Sequence, residues 1–229
     1  SRGSLRSAPD SMDIMSIWGD KYNLTQNHID DMRYVQEVYG TRITFTLFSH
    51  NMSNLFKGGV CPFENKAEDI PAAAKALSDS IFKYGYDGID FDHECSEKDL
   101  FYNAENMTTL LREMRKNLGP DKLIMVDGNF KLLTPEGFSY VNYVVGQCYD
   151  CTSPSKLESR YGWMKNHLKT NQLIVTENFE AHWKVGGVTF TDKEGNKMPS
   201  LYGMALWQPE GAEGHKGGVG AYHMEYEYA

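Results

Sequence analysis

Asp87-Gly88-Ile89-Asp90-Phe91-Asp92-His93-Glu94 is the stretch that decides how this chain folds. Its acids alternate with other residues at the period of a β-strand, so Asp90, Asp92 and Glu94 share one face, about 6–7 Å from neighbour to neighbour. Ile89 and Phe91 take the opposite face and argue for burial, against a solvated acidic edge. Three carboxylates that close cannot all ionise cheaply, so at least one pKa is expected to rise towards the range of a general acid. A fold gains no stability from such a row. The segment therefore predicts a buried strand that carries chemistry.

Working outward, strand-like and helix-like segments alternate, which predicts a parallel α/β architecture. Strands are expected at 13–18, 42–50, 87–94, 123–127, 143–149, 173–178 and 201–207. Between them, helical stripes run from Thr25 to Gly40 (Ile29, Met32, Val35, Val38), from Pro71 to Tyr84 and from Asp99 to Leu118. Thr134-Pro135-Glu136 opens a short helix, and Ser153-Pro154 starts another that reaches Leu168. The stretch 51–69 reads as a long loop, and 185–199 as a loop or hairpin. No linker composition interrupts the series, so residues 1–229 are expected to form a single domain. A doubly wound open sheet is the runner-up, but no Gly-x-Gly-x-x-Gly turn follows a strand.

Composition narrows the partners. A net charge of −8, with no dense basic run beyond 165–169, disfavours nucleic acid and anionic membrane surfaces. No apolar run approaches the ~18 residues that cross a bilayer. Ser1-Arg2-Gly3-Ser4 has no charged-then-apolar signal pattern. Four cysteines (Cys61, Cys95, Cys148, Cys151) are too few for a disulfide scaffold. Cys148-Tyr149-Asp150-Cys151 lacks the second ligand pair that structural zinc would want, which leaves a disulfide or buried thiols.

The acidic octet resembles the Asp-x-x-Asp-x-Asp-x-Glu signature of family 18 glycoside hydrolases, with all four acids in register. The resemblance implies a (β/α)8 TIM-type barrel with this segment as its fourth strand. Seven segments read as strands where such a barrel has eight. Ser1 to Ser11 is too polar to supply another, so the first strand is expected to be missing from the sequence given or irregular. Catalysis in a barrel sits at the carboxyl ends of the strands, which puts Glu94 furthest into the mouth, Asp92 below it and Asp90 deeper.

The resemblance also implies roles. Glu94 would protonate the leaving glycosidic oxygen, and the substrate's own 2-acetamido carbonyl would attack the anomeric carbon to give an oxazolinium ion. Asp92 would hold the acetamide N–H, with Asp90 sharing a proton beneath it. Gln147-Cys148-Tyr149-Asp150 resembles the family's Met-x-Tyr-Asp/Asn, with Gln147 in place of Met. Tyr149 would then bind the acetamide oxygen, and Asp150 sugar hydroxyls. Trp207 stands where the family has a floor beneath the sugar, Thr46 supplies a hydroxyl near Asp90, and Asn129 and Asn178 follow strand ends. His93 before the final acid and Cys95 after it bring the stretch closer to endo-β-N-acetylglucosaminidases than to chitinases.

The expected activity is therefore cleavage of a β-1,4 linkage after N-acetylglucosamine in the chitobiose core of N-linked glycans. No cofactor or metal is expected, the partner is an N-acetylglucosamine-containing glycan or glycoprotein, and the chain is expected to act as a monomer. Because such glycans lie outside the cytoplasm, a secreted, periplasmic or cell-surface location is expected. The alternatives are a chitinase-type hydrolase or a catalytically weak glycan-binding relative. A metal-dependent hydrolase would use Asp90, Asp92, His93 and Glu94 as ligands, and would need further ligands from Asp127, Glu177 or Asp150.

Overall fold

Short apolar strands alternate with amphipathic helices throughout the computed structural model, which describes residues 4–19 and 21–224. Ser1, Arg2 and Gly3 of the amino-terminal stretch lie outside the described residues. The chain divides into two compact units, Ser1–Asn142 and Tyr143–Ala229.

The first unit contains β1 (Ile14–Ile17), α1 (Gln26–Tyr34), β2 (Arg42–Phe48), α2 (Met52–Leu55), α3 (Ile70–Tyr84), β3 (Gly88–His93), α4 (Ala104–Leu118), β4 (Leu123–Gly128) and α5 (Pro135–Phe138). Strands β1 to β4 pair in chain order, all parallel. Helices make the crossovers, as parallel pairing requires. In α1 the Thr25 hydroxyl accepts the His28 N–H at 3.3 Å, capping the first turn. The expected stripe holds at Met32 and Val35, which are buried, but Val38 is 59% exposed. A π-turn over Val35–Tyr39 is the reason, because its wider winding carries Val38 off the apolar side. Helix α3 has a proline in its first turn and ends at Gly85 with φ +77°, burying Ala74, Leu77 and Ile81 against α4. Helix α4 starts on Asn103, whose side chain accepts two N–H groups, and buries Met107, Leu110, Leu111 and Met114. Each of those large side chains contributes about 1.5–3 kcal/mol by leaving water.

All six residues of β3 are buried. Gly88 is required by contact with β4, since a Cβ there would lie 2.1 Å from the Leu123 carbonyl oxygen. Asp87, the first acid of the octet, is structural. Its Oδ2 accepts from Ile43 N–H and from Gln36 Nε2, each at 2.8 Å, and its Oδ1 lies 3.4 Å from Arg42 Nε.

The second unit contains β5 (Tyr143–Gln147), α6 (Pro154–Met164), β6 (Leu173–Asn178), α7 (Phe179–His182), β7 (Thr189–Thr191), β8 (Lys197–Pro199), α8 (Ser200–Leu206) and β9 (Gly218–Tyr222). Strand β6 pairs in parallel with β5 on one side and β9 on the other. The stretch read as a loop or hairpin is a hairpin, β7 against β8.

One expected strand is a helix. Leu201 to Trp207 is helix α8 and its cap, with Ser200, Gly203 and Met204 on the buried side and Tyr202 and Leu206 exposed. A short apolar run does not separate helix from strand by periodicity, and here the 3–4 spacing of the buried residues wins. The strand itself, Gly218-Val219-Gly220-Ala221-Tyr222, has too few branched or aromatic residues to read as one. All four cysteines are free thiols, three of them buried. No helix among the described residues is long and apolar enough to cross a membrane.

Candidate active site

The acids stand where a parallel α/β sheet places chemistry, at the carboxyl ends of its strands. Asp90 and Asp92 are buried on β3, and Glu94 follows the strand as an exposed residue. Thr46 on β2 is paired in register with Asp90, and its hydroxyl donates to Asp90 Oδ2 at 3.3 Å. The expected hydroxyl near Asp90 is therefore in place.

A further carboxyl completes the group. Asp127 on β4 is the register partner of Asp92, so two buried carboxyls sit side by side on neighbouring strands. Burial first, and then the charges of Asp90 and Asp92, drive the Asp127 pKa well above the usual carboxylate range; its hydrogen bond with Asp92 acts in the same direction. Burial and the Asp92 charge push Asp90 up to about 7, opposed by hydrogen bonds from Thr46, Asp127 and Ser16. Asp90 Oδ1 is buried without a hydrogen-bond partner, which favours a proton on this carboxyl. Both shifts favour the protonated forms of Asp90 and Asp127. From sequence alone Asp127 stands only as a candidate metal ligand. The signal available was its place in Leu123-Ile124-Met125-Val126-Asp127, an acid ending an apolar strand next to the acidic one.

Glu94 lies above this reservoir. Partial burial and the Asp92 charge raise its pKa, with His50 acting the other way. Gly128, at φ +79°, keeps space beside it, since a Cβ there would come within 3.2 Å of Glu94 Cγ. His93 turns away from the acids, as strand alternation requires. Its Nδ1 pairs with the Ser49 hydroxyl at 2.8 Å, and burial lowers its pKa to about 4. It is thus a neutral packing residue, facing away from any ligand set built on the acids. Among the described residues no three His, Cys, Asp or Glu side chains form a group able to hold a metal ion. Asn129 is half-buried just past β4. Beside Thr46, a cavity of about 340 Å³ is walled by Trp18 and Phe48 and rimmed by Asn54 and Lys57. Neither aromatic had been singled out from sequence.

In the second unit, Gln147 ends β5 and Tyr149 follows it half-buried, its ring stacked on Tyr222 with centroids 6.2 Å apart. Asp150 is exposed with a left-handed backbone, φ +55°. Asn178 caps α7, its Oδ1 accepting the Glu180 N–H at 2.8 Å, which gives it a structural duty. Trp207 is not at a strand end. It caps α8, is 7% exposed, and donates its indole N–H to Glu158 at 2.9 Å. Helix α8 replaces the expected strand and takes this tryptophan into packing. The aromatic that does end the last strand is Tyr222, register partner of Asn178.

Parallel strands joined by helices, with acids clustered at one strand's carboxyl end, are the arrangement of an α/β enzyme that places its chemistry at strand ends. The model of "Glycoside hydrolase family 18, BT1044-like" matches residues 1–229, and the chain belongs to that family of glycoside hydrolases. A solved variant of BT1044 superposes with a TM-score of 0.82 at 24% identity, covering 96% of this chain and 75% of that one. An endo-beta-N-acetylglucosaminidase from Cordyceps militaris, in complex with fucosyl-N-acetylglucosamine-Asn, gives 0.69 at 21% identity over 94% and 72% of the two chains. A family 18 chitinase from Pseudoalteromonas aurantia gives 0.62 at 14% identity over 96% and 84%. Comparison with curated proteins gives no match. The fold is thus of the (β/α)8 TIM type, with four parallel strands described in the first unit and three in the second.

Proposed function

We propose that the protein is a retaining endo-β-N-acetylglucosaminidase that cuts the β-1,4 linkage within the chitobiose core of N-linked glycans. The observation that carries this reading is the cluster of buried Asp90, Asp92 and Asp127 on neighbouring strands beneath the exposed carboxyl of Glu94. Asp92 and Asp90, the acids of β3 nearest Glu94, are buried below it, and on this reading the substrate's acetamide is the nucleophile. Its carbonyl oxygen attacks the anomeric carbon as the glycosidic bond breaks, and the Glu94 proton passes to the leaving oxygen. Asp92 accepts the acetamide N–H and balances the charge developing on the oxazolinium ring. Glu94, now a carboxylate, then takes a proton from the entering water, which opens the ring with net retention. Tyr149 is assigned the acetamide oxygen, and Gln147, Asp150 and Asn129 the sugar hydroxyls.

The polar His93 and Cys95 around the acids, where chitinases of the family usually have aromatic residues, support the endo-acting reading. So does the likeness to the Cordyceps militaris fold. On this reading the enzyme acts outside the cytoplasm, where such glycans lie, and works as a monomer. Digestion of a panel of N-glycoproteins and chitin oligomers, with products weighed by mass spectrometry, tests the reading. Release of glycans that leave one N-acetylglucosamine on the protein is expected. Cleavage of chitin oligomers alone would reassign the protein as a chitinase, and no cleavage of either would mark a glycan binder.

A further inference from the structure

Strand β6 buries alternate residues: Leu173, Val175 and then Glu177. A carboxyl that continues an apolar face at 1% exposure needs a reason, because burying it unpaired costs several kcal/mol. Its partners give the reason. Oε1 accepts the backbone N–H of Asp150 and that of Asn178, each at 2.8 Å, and Oε2 accepts the Ser200 hydroxyl. Gly187 makes room for this contact, since a Cβ there would lie 2.0 Å from Ser200 Oγ and 3.0 Å from Glu177 Cγ.

The peptide that Glu177 grips is an unusual one. Asp150 sits at φ +55°, a left-handed backbone that is uncommon outside Gly, Asn and Asp. On the other side of the same peptide, Lys156 from α6 donates its ammonium to the Tyr149 carbonyl. The Tyr149–Asp150 peptide is thus held at its N–H by an acceptor and at its C=O by a donor. The second N–H on Glu177 belongs to Asn178, whose cross-strand partner Tyr222 stacks on the Tyr149 ring. One buried carboxyl therefore fixes the backbone next to both stacked rings.

We propose that Glu177, together with Lys156, is a positioning pair that clamps the Tyr149–Asp150 peptide and so sets the aim of the Tyr149 phenol at the substrate acetamide. This rests on the role of Tyr149 proposed above. Neither clamp residue touches the reacting atoms. Their effect passes through Tyr149, which separates them from residues that merely stabilise the fold.

A thiazoline analogue of the bicyclic intermediate provides the readout, with binding measured by competitive inhibition in the Tyr149 and Tyr149→Phe backgrounds. Glu177→Met keeps the shape and removes both acceptors. It is expected to weaken thiazoline binding about tenfold when Tyr149 is present and less than about twofold when Phe replaces it. Glu177→Gln is expected to retain most of the affinity, because its amide oxygen still accepts both N–H groups and its NH2 meets the Ser200 hydroxyl. Lys156→Met, at a half-buried position on α6, reads out the other jaw should Glu177→Met fail to fold, and the same dependence on Tyr149 is expected. Equal losses in both backgrounds, or no loss from either variant, would overturn the clamp. Undiminished binding by Tyr149→Phe alone would instead remove the proposed role of Tyr149, and the clamp with it.

Discussion

Asp92 and Asp127 face each other across the β3–β4 pair as register partners, and both are buried. Adjacent strands lie about 4.8 Å apart, so two ionised carboxylates there would repel strongly in a medium that screens poorly. The repulsion is relieved by a proton on Asp127, whose single O–H donates to Asp92. This arrangement leaves Asp92, the carboxyl assigned to the acetamide, as the acceptor.

Stability should carry the mark of that proton. Asp90 and Asp127 have raised folded-state pKa values, so above about pH 4 the unfolded chain sheds protons that the folded chain keeps, and stability falls as pH rises. For Asp90 this window closes near its value of about 7. Asp127→Asn supplies a permanent N–H donor. Relative to wild type it should be nearly neutral at pH 4 and progressively the more stable protein as pH rises towards 7. Urea melts at several pH values measure this, and parallel curves for the two proteins would refute the shared proton.

Glu94→Gln should abolish turnover without unfolding, because it removes one ionisable proton from an exposed residue. The expected loss in kcat is about 10²–10⁴-fold, the usual worth of general acid catalysis. A variant keeping more than about a tenth of wild-type kcat, with an unchanged melting curve, would remove Glu94 from the role of proton donor.

Most of this arrangement was legible in the chain because the acids obey the period of two. Burial of Ile89 and Phe91 and the turning away of His93 all follow from that alternation. What stayed hidden depended on neighbours. The partnership of Asp127 with Asp92 is a matter of register between strands. The fate of 201–207 turned on Gly203, where a Cβ would lie 2.3 Å from Phe190, so helix α8 packs its glycine on that ring. Val38 left its stripe through one π-turn, and β9 is too glycine-rich to announce itself.

Asp92→Asn should impair formation of the oxazolinium ion more than its breakdown, since an amide cannot balance the ring's positive charge. Given a pre-formed sugar oxazoline and an N-acetylglucosamine acceptor, the variant should still transfer glycan while hydrolysing the product poorly. Mass analysis of a timed reaction separates the two steps. An equal loss on oxazoline and on intact glycan would count against the acetamide as nucleophile.

The exchange of Trp207 for Tyr222 at the end of the last strand divides stability from recognition. Trp207 is packed at the cap of α8 with its indole N–H on Glu158, so Trp207→Phe should cost about 1–3 kcal/mol of stability, through a lost part-buried hydrogen bond and the space left around it. KM should barely move. Tyr222, by contrast, ends β9 and stacks on Tyr149, so Tyr222→Ala should raise KM and weaken thiazoline binding while the melting temperature changes less. Calorimetric melts beside initial-rate kinetics for the two variants check this directly. A KM raised by Trp207→Phe and untouched by Tyr222→Ala would return the sugar platform to Trp207, against its position at the helix cap.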